Sequence, residues 1–454
     1  MRLHRWPTIA LMLGVALATS GASAQPPAAA PRPALAADPL RPAMAGARLP
    51  VDAAQPASDV ARTLPAQALR PLPAQARVAV RSVPGLVQQV DLRSYVRMHR
   101  DVLDLDRHGA PIVRSEILAI DPSPAALERA RAAGFAVTGT RELGALGLRV
   151  AVLHARPGQG TRAALRQLQR LDRDGEYVFN HLYFGSSAPV AIPATSAPSA
   201  PGAAGTPLRI GLVDSGVDRT HPALAGVRIE PWGCDGDSRP DRHGTAVASL
   251  LAGGDRDATP TVLYAADIYC GRPTGGAVSA LVEAMAWLAD ERVAVINLSL
   301  VGPDNALLAR ATRALAGRGH VLVAAVGNDG PTAPPLFPAA YPEVIGVTAV
   351  DARQRALPEA VRGPQVDFAA PGAALRAARP GGDWATVRGT SFAAPLVARA
   401  AARHAAAPGE GLVEHVRTQL AAQAIDLGER GRDPVFGHGL IGAEAALALT
   451  EAGR

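Results

Sequence analysis

Lysine is absent from the 454 residues, so all 46 basic side chains other than histidine are arginines. The bland explanation is a GC-rich coding sequence. Aromatic residues make up 4% of the chain and charged residues 19%. A nucleic-acid binder gathers basic residues into a stripe with aromatics; here the arginines are scattered and the net charge of +6 is spread over the whole length, which sets that class aside. No later segment reaches about 18 uninterrupted apolar residues, so no transmembrane helix is expected. Neither a heptad nor a Gly-X-Y period is present, which excludes a coiled coil and a collagen. A hydrophobic content of 48% excludes a wholly disordered chain. The length suggests two to four domains.

Cysteine is scarce as well: only Cys234 and Cys270. The N-terminus decides how to read them. Residues 1–5 are short and basic, and 9–17 are apolar but too short for a bilayer. Ala22-Ser23-Ala24 then carries the small-x-small pattern of a signal-peptidase site. Residues 1–24 read as an export signal, with a mature start near Gln25 and an ordinary buried helix as the alternative. Export implies a secreted or periplasmic protein. In an oxidising compartment two cysteines are most simply one disulfide, with two free buried thiols as the other reading. The bridge would close a loop of about 36 residues and contribute roughly 3–4 kcal/mol.

Along the chain, 25–110 is rich in Ala and Pro without an apolar period and reads as a largely disordered leader. Residues 111–185 change character. Strand-like runs at 116–120, 136–140, 148–153 and 176–184 alternate with helical spacing at 123–133 and 161–171. The order is β-α-β-β-α-β, a small α+β domain with no catalytic constellation of its own. The Ser/Ala/Pro/Gly-rich stretch 186–206 is an exposed linker suited to proteolytic nicking. From 207 to 454, apolar runs at 208–213, 262–269, 293–298, 320–326 and 344–350 alternate with helical stretches. Runs this continuous indicate a parallel sheet buried on both faces, an α/β domain.

Ligands of open α/β sheets bind at the carboxyl ends of the strands, and four such ends are informative. Asp214 closes the run IGLVD and precedes Ser215-Gly216. His243 opens a helix of small residues in DRHGTAVAS, where the helix dipole disfavours a cation and would hold the imidazole neutral. Asn328 follows a buried strand in VAAVGNDGP. Ser391 sits in RGTSFAAP at the start of an Ala-rich helix, whose free N–H groups can meet an oxyanion, with Pro395 assigned to its first turn. Taken singly, each has an ordinary reading as a turn, capping or surface residue. Jointly they do not: Asp, His and Ser occur in that chain order, each in its own Gly-flanked context.

The motifs D-S-G-V-D, H-G-T-x-V-A, N-x-S-L, G-N-D-G-P and G-T-S-x-A-A-P resemble those of the subtilisin-like (subtilase) serine peptidases over residues 207–447. The resemblance implies a subtilisin-like parallel sheet flanked by helices, with Ser391 as nucleophile, His243 as general base and Asp214 as its orienting carboxylate. It also implies Asn328 as oxyanion donor. Ser299, Leu300, Val301 and Gly302 match the segment that pairs with an extended polypeptide substrate; Ala325, Val326, Gly327, Asp329 and Leu336 match the first specificity pocket. Val301 stands where relatives carry Gly and should narrow the cleft. Leu336 stands at a position often Gly, and with Asp329 at the rim it suggests a shallower pocket for medium apolar side chains, with weak help for basic ones. Phe392 replaces an oxidation-prone Met.

No cofactor is expected and no metal site is identified, with calcium binding left open. The loop 253–262 is short, and Asp255 and Asp257 alone offer too few oxygens for a tight calcium site; a Cys234–Cys270 bridge would supply part of that stabilisation by bracing the His243 segment. The α+β domain resembles the family's inhibitory propeptide, whose last strand, ending Tyr183-Phe184-Gly185, would thread the cleft of what is expected to be a monomer until cleavage within 186–206. A permanent accessory domain is the alternative. Two rival functions remain: a catalytically silent binding or chaperone-like protein on the same fold, and a maturation peptidase dedicated to one partner.

Overall fold

A computed structural model describes residues 86–185, 207–253 and 260–442. The export signal, most of the leader, the linker 186–206, and Asp255 and Asp257 lie outside the described residues. All the described residues belong to one compact unit, Leu72–Arg454.

The N-terminal part opens with helix α1 (Leu86–Met98) and strand β1 (Leu103–Leu105), followed by β2 (Pro111–Ile120), α2 (Pro124–Ala132), β3 (Ala136–Leu143) and β4 (Leu148–His154). Helix α3 (Thr161–Leu171), β5 (Glu176–His181) and the short β6 (Phe184–Gly185) complete it. Ser123 caps α2 by accepting the Ala126 N–H at 3.1 Å. Its C-terminus is closed by Gly134, whose φ of +88° suits glycine. The strand order β5-β2-β4-β3 is antiparallel throughout, as the β-α-β-β-α-β reading requires. The leader reading needs correction: α1 and β1 fall inside 25–110 and are ordered. β1 pairs antiparallel with β2, Leu103 opposite Val113. Val96, Leu103, Val113, Leu182 and Ala277 bury one another, so these scattered apolar residues gain a core only from partners distant in sequence.

The larger part runs β7 (Leu208–Asp214), β8 (Arg228–Trp232), α4 (Arg242–Leu251), β9 (Thr261–Asp267), α5 (Val278–Asp290), β10 (Val295–Leu298), β11 (Leu300–Val301) and α6 (Ala306–Gly317). It continues through β12 (Val321–Ala325), β13 (Val344–Val350), β14 (Phe368–Pro371), β15 (Ala373–Arg379), β16 (Asp383–Arg388), α7 (Thr390–Ala402) and α8 (Leu412–Gln423). Seven strands form one parallel sheet in the order β14-β13-β12-β10-β7-β9-β8. Helices α4, α7 and α8 pack on one face with Leu212, Val323 and Val347. Helices α5 and α6 cover the other with Val213, Ile296 and Leu322. Burial on both faces is why these strands read as continuous apolar runs. The chain's direction across the sheet reverses at β7, flanked by β9 and β10, so Asp214 lies at the topological switch point.

The small domain's sheet uses both of its faces. One buries Ile117, Ala151 and Leu153 under its own α2 and α3. The other sends Leu118, Leu148 and Val150 into the core of α5 and α6. At the edge of that contact His181, Asp106 and Asn305 are all buried. Asn305 caps α6 by accepting the Leu307 N–H, so its amide nitrogen is the group 3.0 Å from His181 Nδ1. Nδ1 therefore accepts, and Nε2–H donates to Asp106, 3.3 Å away.

Cys234 and Cys270 form a disulfide with a Cα separation of 5.3 Å. It joins the loop after β8 to the turn after β9. Asp267 reinforces the turn, its carboxylate accepting the backbone N–H groups of Tyr269, Cys270 and Arg239 at 2.9–3.0 Å. The loop so anchored leads to Asp241, the cap of α4. With a closed loop of 36 residues, the chain-entropy value is roughly 3–4 kcal/mol. Cys270→Ser is expected to lower the melting temperature by roughly 6–16 °C; identical melting with and without reductant contradicts the bracing role.

Candidate active site

The site assembles from strand ends and two helix starts. β7 delivers Asp214, 2% exposed. Its Oδ1 accepts the Ser215 N–H at 2.7 Å, which fixes the carboxylate. The facing His243 Nδ1 lies 2.8 Å from Oδ1 and 3.0 Å from Oδ2. Two carboxylate contacts place the imidazole proton on Nδ1 and leave the lone pair on Nε2. Nε2 is buried and has no hydrogen-bond partner among the described residues. His243 belongs to the first turn of α4, and its own N–H donates to the capping Asp241 at 2.9 Å.

Burial opposes charge on His243. The Asp214 carboxylate, its hydrogen bond and the nearby Asp241 outweigh burial and raise the pKa above the ordinary histidine value. The helix-dipole expectation is thereby corrected in sign: adjacent full charges beat the partial charge of a helix end. The geometry still keeps the proton on Nδ1, facing Asp214, and the lone pair on Nε2.

Ser391 lies in the first turn of α7, and the ring of the next residue, Phe392, packs 5.5 Å from the imidazole. Ser391 and Ser299 exchange two hydrogen bonds. The Ser391 hydroxyl donates to the Ser299 carbonyl at 3.1 Å, and the Ser299 hydroxyl donates to the Ser391 carbonyl at 2.8 Å. Pro395 explains the second. It sits inside α7, beyond the first turn assigned from sequence. Lacking an N–H, it leaves the carbonyl four residues back without its helical partner, and Ser299 takes it. Asn297 in turn donates to the Ser299 hydroxyl at 2.9 Å.

Asn328 follows Gly327, whose φ is +103°. The Thr390 N–H donates to Asn328 Oδ1 at 3.1 Å, which fixes the amide's orientation. Nδ2 is then the free end, buried and with no hydrogen-bond partner among the described residues. A buried donor aimed nowhere is costly in a resting protein and useful where an anion forms.

The predicted substrate segment is already occupied. β6 runs antiparallel to β11, with Gly185 opposite Leu300 and Phe184 opposite Val301. Leu182 bridges to Ala277 on the other side. Gly185 lies against His243: a Cβ there would come within 3.1 Å of Nε2. Gly302 exchanges two backbone hydrogen bonds with Phe337. Leu336 lies over Gly327, whose Cβ, if present, would be 2.6 Å from the leucine Cδ1. Asp329 is partly buried, with its pKa raised by that burial. Ala325 and Val326 are fully buried in the sheet. Sequence reasoning missed Tyr269, Gly276 and Ala277, which line the other side of the β6 segment, and Pro303, just beyond β11, whose carbonyl accepts the Tyr183 hydroxyl. The Gly275-Gly276 pair before a helix was the available signal.

The sequence profile of the subtilase family matches residues 205–439. Subtilisin E of Bacillus subtilis (strain 168) is 31% identical over 280 residues, covering 58% of this chain and 72% of that protein. Subtilisin Savinase of Lederbergia lenta is 32% identical over 275 residues, covering 57% and 98%. Fervidolysin from Fervidobacterium pennivorans, a keratinolytic enzyme related to subtilisin, has a similar structure, with a TM-score of 0.61 at 20% identity. That match covers 76% of this chain and 62% of the other, and it speaks to fold alone.

Proposed function

The chain belongs to the subtilase family and is a subtilisin-like serine endopeptidase, and we propose that it is a secreted one that cuts itself free of its N-terminal domain. In this reading Ser391 is the nucleophile. His243 Nε2 takes its hydroxyl proton as the oxygen attacks the substrate carbonyl, and returns that proton to the leaving amine. Asp214 holds the imidazole tautomer and stabilises the imidazolium. The Asn328 amide and the Ser391 backbone N–H receive the oxyanion. Water then repeats the sequence on the acyl-enzyme.

The observation that carries self-processing is β6 lying along β11 with Gly185 against His243. Main-chain strand addition is how an extended peptide is held without a fixed sequence. A strand that fills this place blocks other substrates and delivers its own C-terminal continuation to Ser391. Cleavage is expected just beyond Gly185, in 186–206. Export is supported by the residue pattern of 1–24 and by the disulfide; among the described residues no helix is long and apolar enough to cross a membrane.

The test is covalent capture. Fluorophosphonate treatment of the processed chain is expected to label the peptide containing Ser391 and to abolish casein hydrolysis. Undiminished hydrolysis after complete labelling, or no hydrolysis at all, overturns the reading. The pH profile follows from the raised His243 pKa. The base must be neutral, and a raised pKa keeps it protonated further up the scale. The acid limb of kcat/KM is therefore expected to have its midpoint above about 6.5, the ordinary histidine value. A midpoint below that value contradicts the pairing with Asp214.

A further inference from the structure

We propose that a groove between α1 and α3 is a docking site for a linear phosphate-bearing polymer, which tethers the chain through its N-terminal domain. That the tether holds the precursor and not the released enzyme rests on the self-processing reading above.

Arginines that are scattered along the sequence meet in this groove. Arg93 and Arg97 stand one helical turn apart on α1, and Arg100 follows just past its end. Arg162 and Arg166 stand one turn apart at the start of α3, and Arg107 lies in the turn between β1 and β2. All six are exposed. They line two adjoining hollows of about 510 and 340 Å³, which share Asp104, Arg107 and Arg162.

The carboxylates in the groove are engaged elsewhere. Asp104 accepts the Leu105 N–H at 2.8 Å and the Thr161 hydroxyl at 3.4 Å. Asp106 accepts the His108 and Ala110 N–H groups at 2.8 Å and faces His181. Arg97 donates to the Ser94 hydroxyl and Arg107 to the His108 ring. Among the described residues none of the six arginines forms an ion pair, whereas Arg129, Arg131 and Arg149 of the same domain do. Like charges one turn apart oppose helix formation, so stability alone does not account for the gathering.

The lining selects the occupant. Guanidinium groups take phosphate oxygens two at a time, and two adjoining hollows take a chain of charges rather than a single ion. No Phe, Tyr or Trp lines them, so nucleic-acid bases have nothing to stack on. The charge lines a hollow rather than a flat face, and none of the large exposed apolar side chains borders it, which disfavours a bilayer surface. The chain's own flanks do not fill the groove: residues 25–85 carry seven arginines against three aspartates, and 186–206 carry no charge. All six arginines precede Gly185, so cleavage beyond it leaves the catalytic part without the groove.

The test uses the full chain with Ser391→Ala, which removes the nucleophile and keeps the N-terminal domain attached, and long-chain inorganic polyphosphate as the probe. One variant of this parent combines Arg93→Gln, Arg97→Gln, Arg162→Gln and Arg166→Gln. A control combines Arg170→Gln, Arg173→Gln, Arg313→Gln and Arg353→Gln, an equal loss of charge at exposed positions outside the groove. At about 0.1 M salt the groove variant is expected to bind at least tenfold more weakly than the parent, with its slope of log affinity against log salt reduced by about 2–3. The control is expected to stay within twofold of the parent, and all three proteins to melt alike. Equal loss in the two variants, or loss in neither, overturns the groove. Tighter binding of the parent to phosphatidylglycerol vesicles or to a single-stranded oligonucleotide than to polyphosphate overturns the assigned polymer. Processed wild type, once rid of its N-terminal domain, is expected not to bind; binding equal to the parent's overturns the tether. If wild type is never processed, the self-processing reading falls while the groove stands on the Ser391→Ala result.

Discussion

Asp214→Asn is expected to lower kcat by about 10⁴-fold while the protein stays folded. The magnitude follows what related triads lose; the reason lies in the geometry of this site. Oδ1 of Asp214 is held by the Ser215 N–H at 2.7 Å, and an asparagine oxygen keeps that bond. The amide nitrogen then takes the place of Oδ2, 3.0 Å from His243 Nδ1. Two donors cannot face each other, so the imidazole proton moves to Nε2. The lone pair that should receive the serine proton is gone. Loss of the carboxylate also removes the largest influence that raises the His243 pKa, leaving only Asp241 against burial, so the acid limb of the remaining activity should move to lower pH. A stopped-assay profile of the variant reads both effects. A loss under tenfold, or an acid limb that does not move, contradicts the assigned role.

Asn328→Ala is expected to cost about 10²–10³-fold in kcat with little change in KM. The donor that is lost acts only on the charge that develops in the transition state, so ground-state binding is spared. The substitution also deprives the Thr390 N–H of its 3.1 Å acceptor, a structural cost that could be mistaken for the catalytic one. Asn328→Asp separates the two. It keeps an oxygen for Thr390 but replaces the donor with a negative charge beside the oxyanion. It should therefore be as impaired as the alanine variant or more so, with a melting temperature near wild type. Recovery of kcat in Asn328→Asp contradicts the oxyanion assignment.

Much of the site was legible because its chemistry is carried by side chains at strand ends. Asp214 and Asn328 follow apolar runs that both sheet faces bury, and glycines flank them where the backbone must turn sharply. β6 along β11 was legible from the resemblance and the alternation of 176–184, although the strand breaks at Leu182 to bridge Ala277. The missed features share two physical causes. Gly276 and Pro303 contribute carbonyl groups, and backbone groups have no residue type to read. The cluster of His181, Asp106 and Asn305 joins residues 75 and 124 positions apart, so no local spacing announces it. Helix α1 and β1 are a milder case: Val96 and Leu103 look isolated among charges until β2 and Leu182 cover them. The sign of the His243 pKa shift was misjudged because a helix end is visible in sequence, whereas a carboxylate 29 residues away at 2.8 Å is not.

The most direct measurement is a paired expression of wild type and Ser391→Ala, followed by intact mass and N-terminal sequencing. The account predicts that wild type is trimmed just beyond Gly185, while the variant loses only its export signal and keeps the N-terminal domain attached. Identical trimming of the two proteins, or no trimming of either, would contradict it.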